Sequence, residues 1–349
     1  MSTHPALFDR FPDHAATLPW VCLGDGPTPV HPLARLGRQL GHAALHVKRE
    51  DRTHGTYGGN KVRNLEFLLG EARAARAERV VTLAPVGSNF AAALAAQAPR
   101  VSLPVEIAQF APARSPQIQA HARFAAAHGA TLHVWDGRIG VVPAAAKALA
   151  LRLQRGSYWI APGGSSATGV LGPLNAALEL ARQVRSGATP APDVVVLGVG
   201  TCGTMAGLMA GFAVSGLAAR VVGIRCVDRL VCRRDAVARL ANQALGRLGI
   251  GPRFRAADVD LRDGCNREGY GRASAADHDA IRAMSEEEGI RLDTTYTAKT
   301  VCGLQRMIAD GELRGRSVLY WHTFSPAAIE WQERRSATGT ERRPVSAVA

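Results

Sequence analysis

Val194-Val-Val-Leu-Gly-Val-Gly-Thr-Cys-Gly-Thr204, running into Met205-Ala-Gly-Leu-Met-Ala-Gly-Phe212, is an apolar strand pattern, a glycine turn and an apolar helix pattern in direct succession. Gly198, Gly200 and Gly203 let successive backbone N–H groups converge, Thr201 and Thr204 add hydroxyls, and the helix start adds its positive end. Such an arrangement can cradle a phosphate. It is not a P-loop, because no Gly-Lys-Ser/Thr follows, nor a spaced dinucleotide fingerprint, and glycines in such turns also serve packing alone.

Working outward, the same β-branched character recurs at Val80 to Leu83, Val105 to Phe110, Thr131 to Trp135, Tyr158 to Ile160, Val221 to Val227 and Val318 to Trp321. Alanine- and leucine-rich stretches lie between, with Leu65, Leu68, Leu69 and Ala72 at helical spacing. Alternation of this kind predicts an α/β fold of open parallel sheets with helices on both faces, and ligands bound at the carboxyl ends of the strands. Arg185 to Pro192 has the composition of a connection, and is expected to join two lobes.

The 349 residues are 47% hydrophobic and 20% charged, the balance of a globular chain with a sizeable core. No apolar run approaches the roughly 20 residues of a membrane span. The N-terminus lacks a charged segment followed by an apolar core, so a cytoplasmic location without a secretory signal is expected. The net charge of +13 is spread along helices without interleaved aromatics, which argues for a solvated arginine-rich surface rather than nucleic-acid binding. Six cysteines form no CxxC pair and no metal-ligand spacing, and read as reduced thiols with no metal site.

Only four of the 42 basic residues are lysines: Lys48, Lys61, Lys147 and Lys299. Arginine cannot form a Schiff base at neutral pH, so any carbonyl group captured here has four candidate amines. Lys147 lies in a helical surface pattern and Lys48 in a strand-like run from Leu45. Lys61 follows Gly58-Gly59-Asn60 at a helix mouth, where backbone approaches closely and the helix field disfavours an ammonium. A phosphate cradle together with such an amine suggests pyridoxal phosphate, the electron sink of amino-acid chemistry.

Gly26-Pro-Thr-Pro-Val30, Val47-Lys-Arg-Glu-Asp51 and Gly58-Gly-Asn-Lys-Val-Arg-Asn-Leu-Glu-Phe67 carry a resemblance. So do Gly87-Ser-Asn89, Pro162-Gly-Gly-Ser-Ser166, the 200–204 loop, Gly269-Tyr-Gly271, Leu292-Asp-Thr-Thr-Tyr-Thr-Ala-Lys299 and His322-Thr323. In this order the chain resembles the D-cysteine desulfhydrase and 1-aminocyclopropane-1-carboxylate deaminase family, of tryptophan-synthase-β-like fold. The resemblance implies a pyridoxal-phosphate lyase or deaminase, working as a homodimer on a small amino acid. It implies a large cofactor-binding domain of residues 1–61 and 172–349 and a small domain of 62–171. Lys61 would hold the cofactor covalently; Ser88, Tyr270 and Tyr296 would be catalytic. Asn89, Gly200, Thr201, Cys202, Gly203, Thr204 and Thr297 would bind the cofactor, Thr297 at its ring nitrogen. A hydroxyl there, in place of the deaminase branch's glutamate, is expected to leave that nitrogen closer to neutral and to favour β-elimination over ring opening; β-replacement is the alternative outcome.

Departures from the family pattern fall around the substrate. Phe90 and Ala91 replace polar residues after Ser88-Asn89, Asn64 stands where relatives often have lysine, Cys202 replaces a glycine, and Phe324-Ser325 replaces a glycine pair. Phe90 and Phe324 are expected to make the pocket more apolar than that of a cysteine desulfhydrase, with D-cysteine and the cyclopropane amino acid poor substrates.

Overall fold

The computed structural model describes residues 4–110, 116–137, 139–263 and 269–338. The chain begins with α1 (Ala6–Arg10), β1 (Val30–Pro32), α2 (Ala34–Gln39), β2 (Leu45–Arg49), α3 (Lys61–Ala74), β3 (Arg79–Pro85), α4 (Asn89–Gln97) and β4 (Val105–Phe110). Next come α5 (Pro116–Ala127), β5 (Thr131–Trp135), α6 (Val141–Arg152), β6 (Ser157–Ile160), α7 (Leu171–Arg185), β7 (Val194–Val199) and α8 (Gly203–Ser215). The rest runs through β8 (Arg220–Arg225), α9 (Arg234–Gly246), β9 (Asp260–Arg262), α10 (Ala275–Glu288), α11 (Thr297–Ala309), β10 (Val318–His322) and α12 (Ala327–Ala337).

Two sheets result. The larger has the order β1-β2-β10-β7-β8-β9, parallel throughout except for the β1–β2 edge; the smaller, β5-β4-β3-β6, is wholly parallel. Parallel strands must be buried on both faces, which is why β7 reads as unbroken Val-Val-Val-Leu. Because β10 lies between β2 and β7, the chain leaves all three at one edge. The segment leading to Lys61, the 200–204 loop and the loop after His322 therefore emerge side by side. In the small sheet, β3 delivers Gly87-Ser88-Asn89 and β6 delivers Pro162 to Ser166 at the corresponding edge.

Close helix packing rests on missing side chains. A Cβ at Gly211 would fall 2.5 Å from Ala177 Cβ, and one at Gly207 2.5 Å from Pro173, so α8 and α7 meet backbone to backbone. A Cβ at Gly172 would fall 2.1 Å from the Arg63 carbonyl oxygen, bringing α7 equally close to α3. The Arg185–Pro192 stretch does not join the two sheets: it links α7 to β7 of the larger sheet, and its turn residues end a helix. Helix α12 packs on α5, with the Trp331 and Phe124 rings edge to face at 5.8 Å.

Beneath α3 lies a buried ionic cluster. Lys48 donates to Glu179 (2.7 Å), Gln183 (2.8 Å) and the Thr28 carbonyl (2.8 Å), while Arg63 bridges Glu179 (2.8 Å) and Glu50 (3.1 Å). Burial pushes the Glu179 carboxyl up, but the Arg63 and Lys48 charges outweigh it and hold it well below the usual carboxylate range. The cluster pins β2, α3 and α7 together and occupies Lys48 fully. Lys48→Met would leave Glu179 short of a partner, and is expected to cost about 3–5 kcal/mol in chemical denaturation.

Candidate active site

Lys61 is the first residue of α3, after Asn60. Its Nζ donates to the Gly163 carbonyl at 3.2 Å, across to the loop after β6. Burial alone pushes its ammonium down to about 8, so a usable share of neutral amine exists near neutral pH. Of the other lysines, Lys48 is locked in the ionic cluster and Lys299 donates to the Gly269 carbonyl at 2.6 Å.

Opposite Lys61's loop stands the glycine turn. Cys202 has φ +70°, the left-handed region that favours glycine, and its thiol packs on the carbonyls of Val231 and Arg233 at 3.9 and 3.7 Å. Helix α8 then opens without any side-chain cap; the Gly203 N–H turns back to the Thr201 carbonyl at 2.9 Å, and the N–H groups of Thr204 and Met205 that follow have no intrahelical acceptor. Two loops close the cradle. Thr201 Oγ1 lies 2.7 Å from Ser165 Oγ, and Asn60 Nδ2 donates to Thr204 Oγ1 at 2.7 Å. A Cβ at Gly163 would fall 2.3 Å from Thr201 Oγ1, and one at Gly203 2.7 Å from Ser165 Oγ. A Cβ at Gly200 would strike the Tyr296 ring at 2.8 Å. The remaining N–H groups at the start of α8, the hydroxyls and the glycine-only contacts together fit a phosphate monoester. Thr204→Ala is expected to weaken cofactor retention by about 1–3 kcal/mol, read by equilibrium dialysis.

Across from the cradle, Ser88 Oγ caps α4 by accepting from Ala91 N–H at 3.3 Å. Asn89 Nδ2 donates to Asp293 Oδ2 at 3.3 Å, and its carbonyl accepts from the Tyr57 hydroxyl at 3.2 Å. Asp293 is a centre the sequence reading passed over. It is buried, and its Oδ1 accepts from Thr297 N–H (2.7 Å) and the Thr297 hydroxyl (2.5 Å), while its own N–H donates to that hydroxyl at 2.6 Å. Thr297 thus spends its one proton on Asp293 and keeps a single lone pair, so toward a third partner it is an acceptor. From residue type, Thr297 is expected to leave a ring nitrogen closer to neutral; in the structure its one proton is already committed to Asp293.

Tyr270 and Tyr296 form an edge-to-face pair, centroids 6.2 Å apart. Burial raises both phenols, Tyr270 to about 12 and Tyr296 well above its usual value, so both remain protonated donors. His322 bonds the Tyr320 hydroxyl through Nδ1 at 2.9 Å, and burial lowers it to about 4, which makes it a neutral strand residue. Asn64 is buried and donates to the Gly169 carbonyl at 2.9 Å, holding the loop that leads into α7. Phe90 packs on Gly164 within the small sheet's core, because a glycine with φ +70° leaves room for its ring; it is core rather than pocket wall. Phe324 is buried with its ring 6.1 Å from that of His121. Among the described residues no group of three or more His, Cys, Asp or Glu is placed to hold a metal, and no helix is long and apolar enough to cross a membrane. Cys265 and the basic tail past residue 338 lie outside the described residues.

Known proteins are similar to this chain in sequence and fold. Residues 21–323 match the family described as pyridoxal-phosphate dependent enzymes. A protein of Pyrococcus abyssi, provisionally named 1-aminocyclopropane-1-carboxylate deaminase, is 31% identical over 329 residues, 92% of this chain and 94% of its own. A counterpart of the same name from Pyrococcus horikoshii is 31% identical over 330 residues, with the same coverage. The crystal structure of an ACC deaminase homologue superposes with a TM-score of 0.79 at 28% identity, covering 96% of this chain and 99% of that one. The processed threonine deaminase isoform 2 of Solanum lycopersicum shares the fold, at a TM-score of 0.61 and 15% identity over 93% of this chain and 92% of its own. By sequence match and fold alike, the chain belongs to the family of pyridoxal-phosphate-dependent enzymes.

Proposed function

We propose that this enzyme is an amino-acid lyase of deaminase type, which removes the Cα proton, expels a β-substituent and yields a keto acid and ammonia. The observation that carries the reading is the Lys61 amine, depressed to about 8 and held at 3.2 Å from the loop that completes the phosphate cradle. Pyridoxal phosphate, when bound, supplies the electron sink. Lys61 would hold it through Nζ until the substrate's amine takes that place, and the Lys61 amine so released would take the Cα proton. Gly200, Thr201, Gly203 and Thr204 hold the phosphate with Ser165, and the backbone of Cys202 shapes their turn. Asn89 and Thr297 orient the ring through their shared partner Asp293. Tyr270 and Tyr296, kept protonated, donate to the substrate, and Ser88 meets its carboxylate. The lobes of this reading are 1–61 with 172–349, and 62–171.

Ring opening of a cyclopropane amino acid is the second reading, favoured by the names of the two archaeal relatives and by the acceptor role of Thr297. A panel of D- and L-amino acids with β-leaving groups, run beside 1-aminocyclopropane-1-carboxylate, decides between them by keto-acid and ammonia release. Pyruvate from a β-substituted alanine supports elimination; 2-oxobutyrate from the cyclopropane substrate alone would replace it with ring opening.

Lys61 also sets a pH dependence. The neutral amine is the nucleophile, so capture of pyridoxal phosphate by the cofactor-free protein should rise with pH and level off above about 8. A rate still climbing toward pH 10, the behaviour of an ordinary lysine, would contradict the burial argument. We further propose a cytoplasmic homodimer: none of the five described cysteines is in a disulfide, and Ile139, Val142, Leu149 and Leu153 form an exposed apolar set on and beside α6. Light scattering on the purified protein tests the dimer.

A further inference from the structure

One helix outside the loops described above reaches four of the segments that make the site. In the first turn of α5, Gln117 Oε1 accepts from the Thr294 backbone N–H (3.3 Å) and hydroxyl (2.9 Å), beside Asp293. Ile118 lies so close to two glycines that a Cβ at Gly87 would fall 2.6 Å from its side chain and one at Gly271 2.8 Å. Those glycines adjoin Ser88 and Tyr270. One turn after Gln117, the His121 ring lies 6.1 Å from that of Phe324, in the loop after His322. The inner face of α5 therefore packs against all four of these segments.

His121 is the polar group on that face with an unused valence. It is 2% exposed, and its Nδ1 lies 2.9 Å from the Gln117 carbonyl oxygen. A carbonyl only accepts, so Nδ1 carries the proton and Nε2 is left as an acceptor. Nε2 is buried and has no hydrogen-bond partner among the described residues. Burial lowers the imidazole pKa against the opposing Gln117 bond and the nearby Asp293 charge, which keeps the ring neutral. Such an orphaned atom destabilises a fold. Ala120, Phe124 and Ala125 on the same helix are buried and apolar, as is Phe324 beside the ring, so a leucine at 121 would meet the packing need without that cost.

We propose that His121 is a specificity-determining residue whose Nε2 accepts a hydrogen bond from the substrate's side chain, so that the enzyme selects amino acids bearing a hydroxyl or amide donor over aliphatic isosteres. The inference rests on the amino-acid lyase reading and adds the substrate class to it. A carboxylate side chain would present lone pairs to a lone pair and is rejected by the same atom.

The test uses the holoenzyme and two isosteric pairs, serine against 2-aminobutyrate and homoserine against norvaline, each in both hands. Dissociation constants are read from the change each amino acid causes in the bound cofactor's absorbance. In at least one pair the hydroxylated member should bind about tenfold tighter, the worth of one buried hydrogen bond. His121→Leu should reduce that ratio to about one while changing the aliphatic member's affinity less than about threefold, and His121→Gln, which keeps an acceptor, should recover part of it. Equal or tighter binding of the aliphatic member in both pairs by the wild-type protein overturns the proposal without any variant. A ratio unmoved by His121→Leu overturns it as well. If no amino acid perturbs the cofactor, the lyase reading itself fails, and this proposal with it.

Discussion

Lys61→Ala is expected to leave the protein folded, to abolish covalent retention of pyridoxal phosphate, and to lower turnover of any accepted amino acid by about 10²–10⁴-fold. The fold should survive because the hydrophobic face of α3 begins at Val62 and runs through Leu65, Phe67, Leu68, Leu69 and Ala72, all buried. Alanine is also the best helix former for that first turn. What the variant loses is one amine, depressed to about 8, that no other lysine can replace: Lys48 lies in the ionic cluster and Lys299 is bound to the Gly269 carbonyl. Thermal unfolding and keto-acid release, measured together, separate loss of chemistry from loss of structure. Turnover within tenfold of wild type would remove Lys61 from the reaction.

Gly203→Asp should weaken cofactor affinity by about 100-fold or more. Two effects add. A Cβ at Gly203 would fall 2.7 Å from Ser165 Oγ, so the two loops that close the cradle must part. The carboxylate would also stand at the uncapped start of α8, in the field that attracts the phosphate. Loss of two decades corresponds to about 2.8 kcal/mol, the range of a charged hydrogen bond removed and a repulsion introduced. Equal retention of cofactor by wild type and variant in equilibrium dialysis would take the loop out of the site.

Much of this site was legible in the sequence because its signals are local. A β-branched run, glycines at 198, 200 and 203 and an apolar helix specify strand, turn and helix through backbone needs alone, and the structure sets them at 194–199 and 203–215. Scarcity of lysine and the Gly-Gly-Asn context singled out Lys61 in the same way. What was hidden depends on partners distant in the chain. Asp293 gains its place through Asn89, 204 residues away, and Gln117 through Thr294, 177 residues away. His121 sits in an alanine-rich helix with no motif, and only a buried, unpartnered nitrogen sets it apart. Phe90 misled for a related reason: its identity suggested a pocket wall, whereas the room left by Gly164 draws the ring into the core. The short edge strands β1 and β9, three residues each, carry too little periodicity to be read before their neighbours are known.

The central claim is that one amine, at Lys61, holds pyridoxal phosphate in this fold, and borohydride reduction followed by peptide mapping tests it most directly. The purified holoenzyme should absorb in the visible, lose that absorbance on reduction, and yield a single pyridoxyl adduct on the peptide that contains Lys61. An adduct on Lys48, Lys147 or Lys299, or a protein that takes up no pyridoxal phosphate at all, would contradict the account.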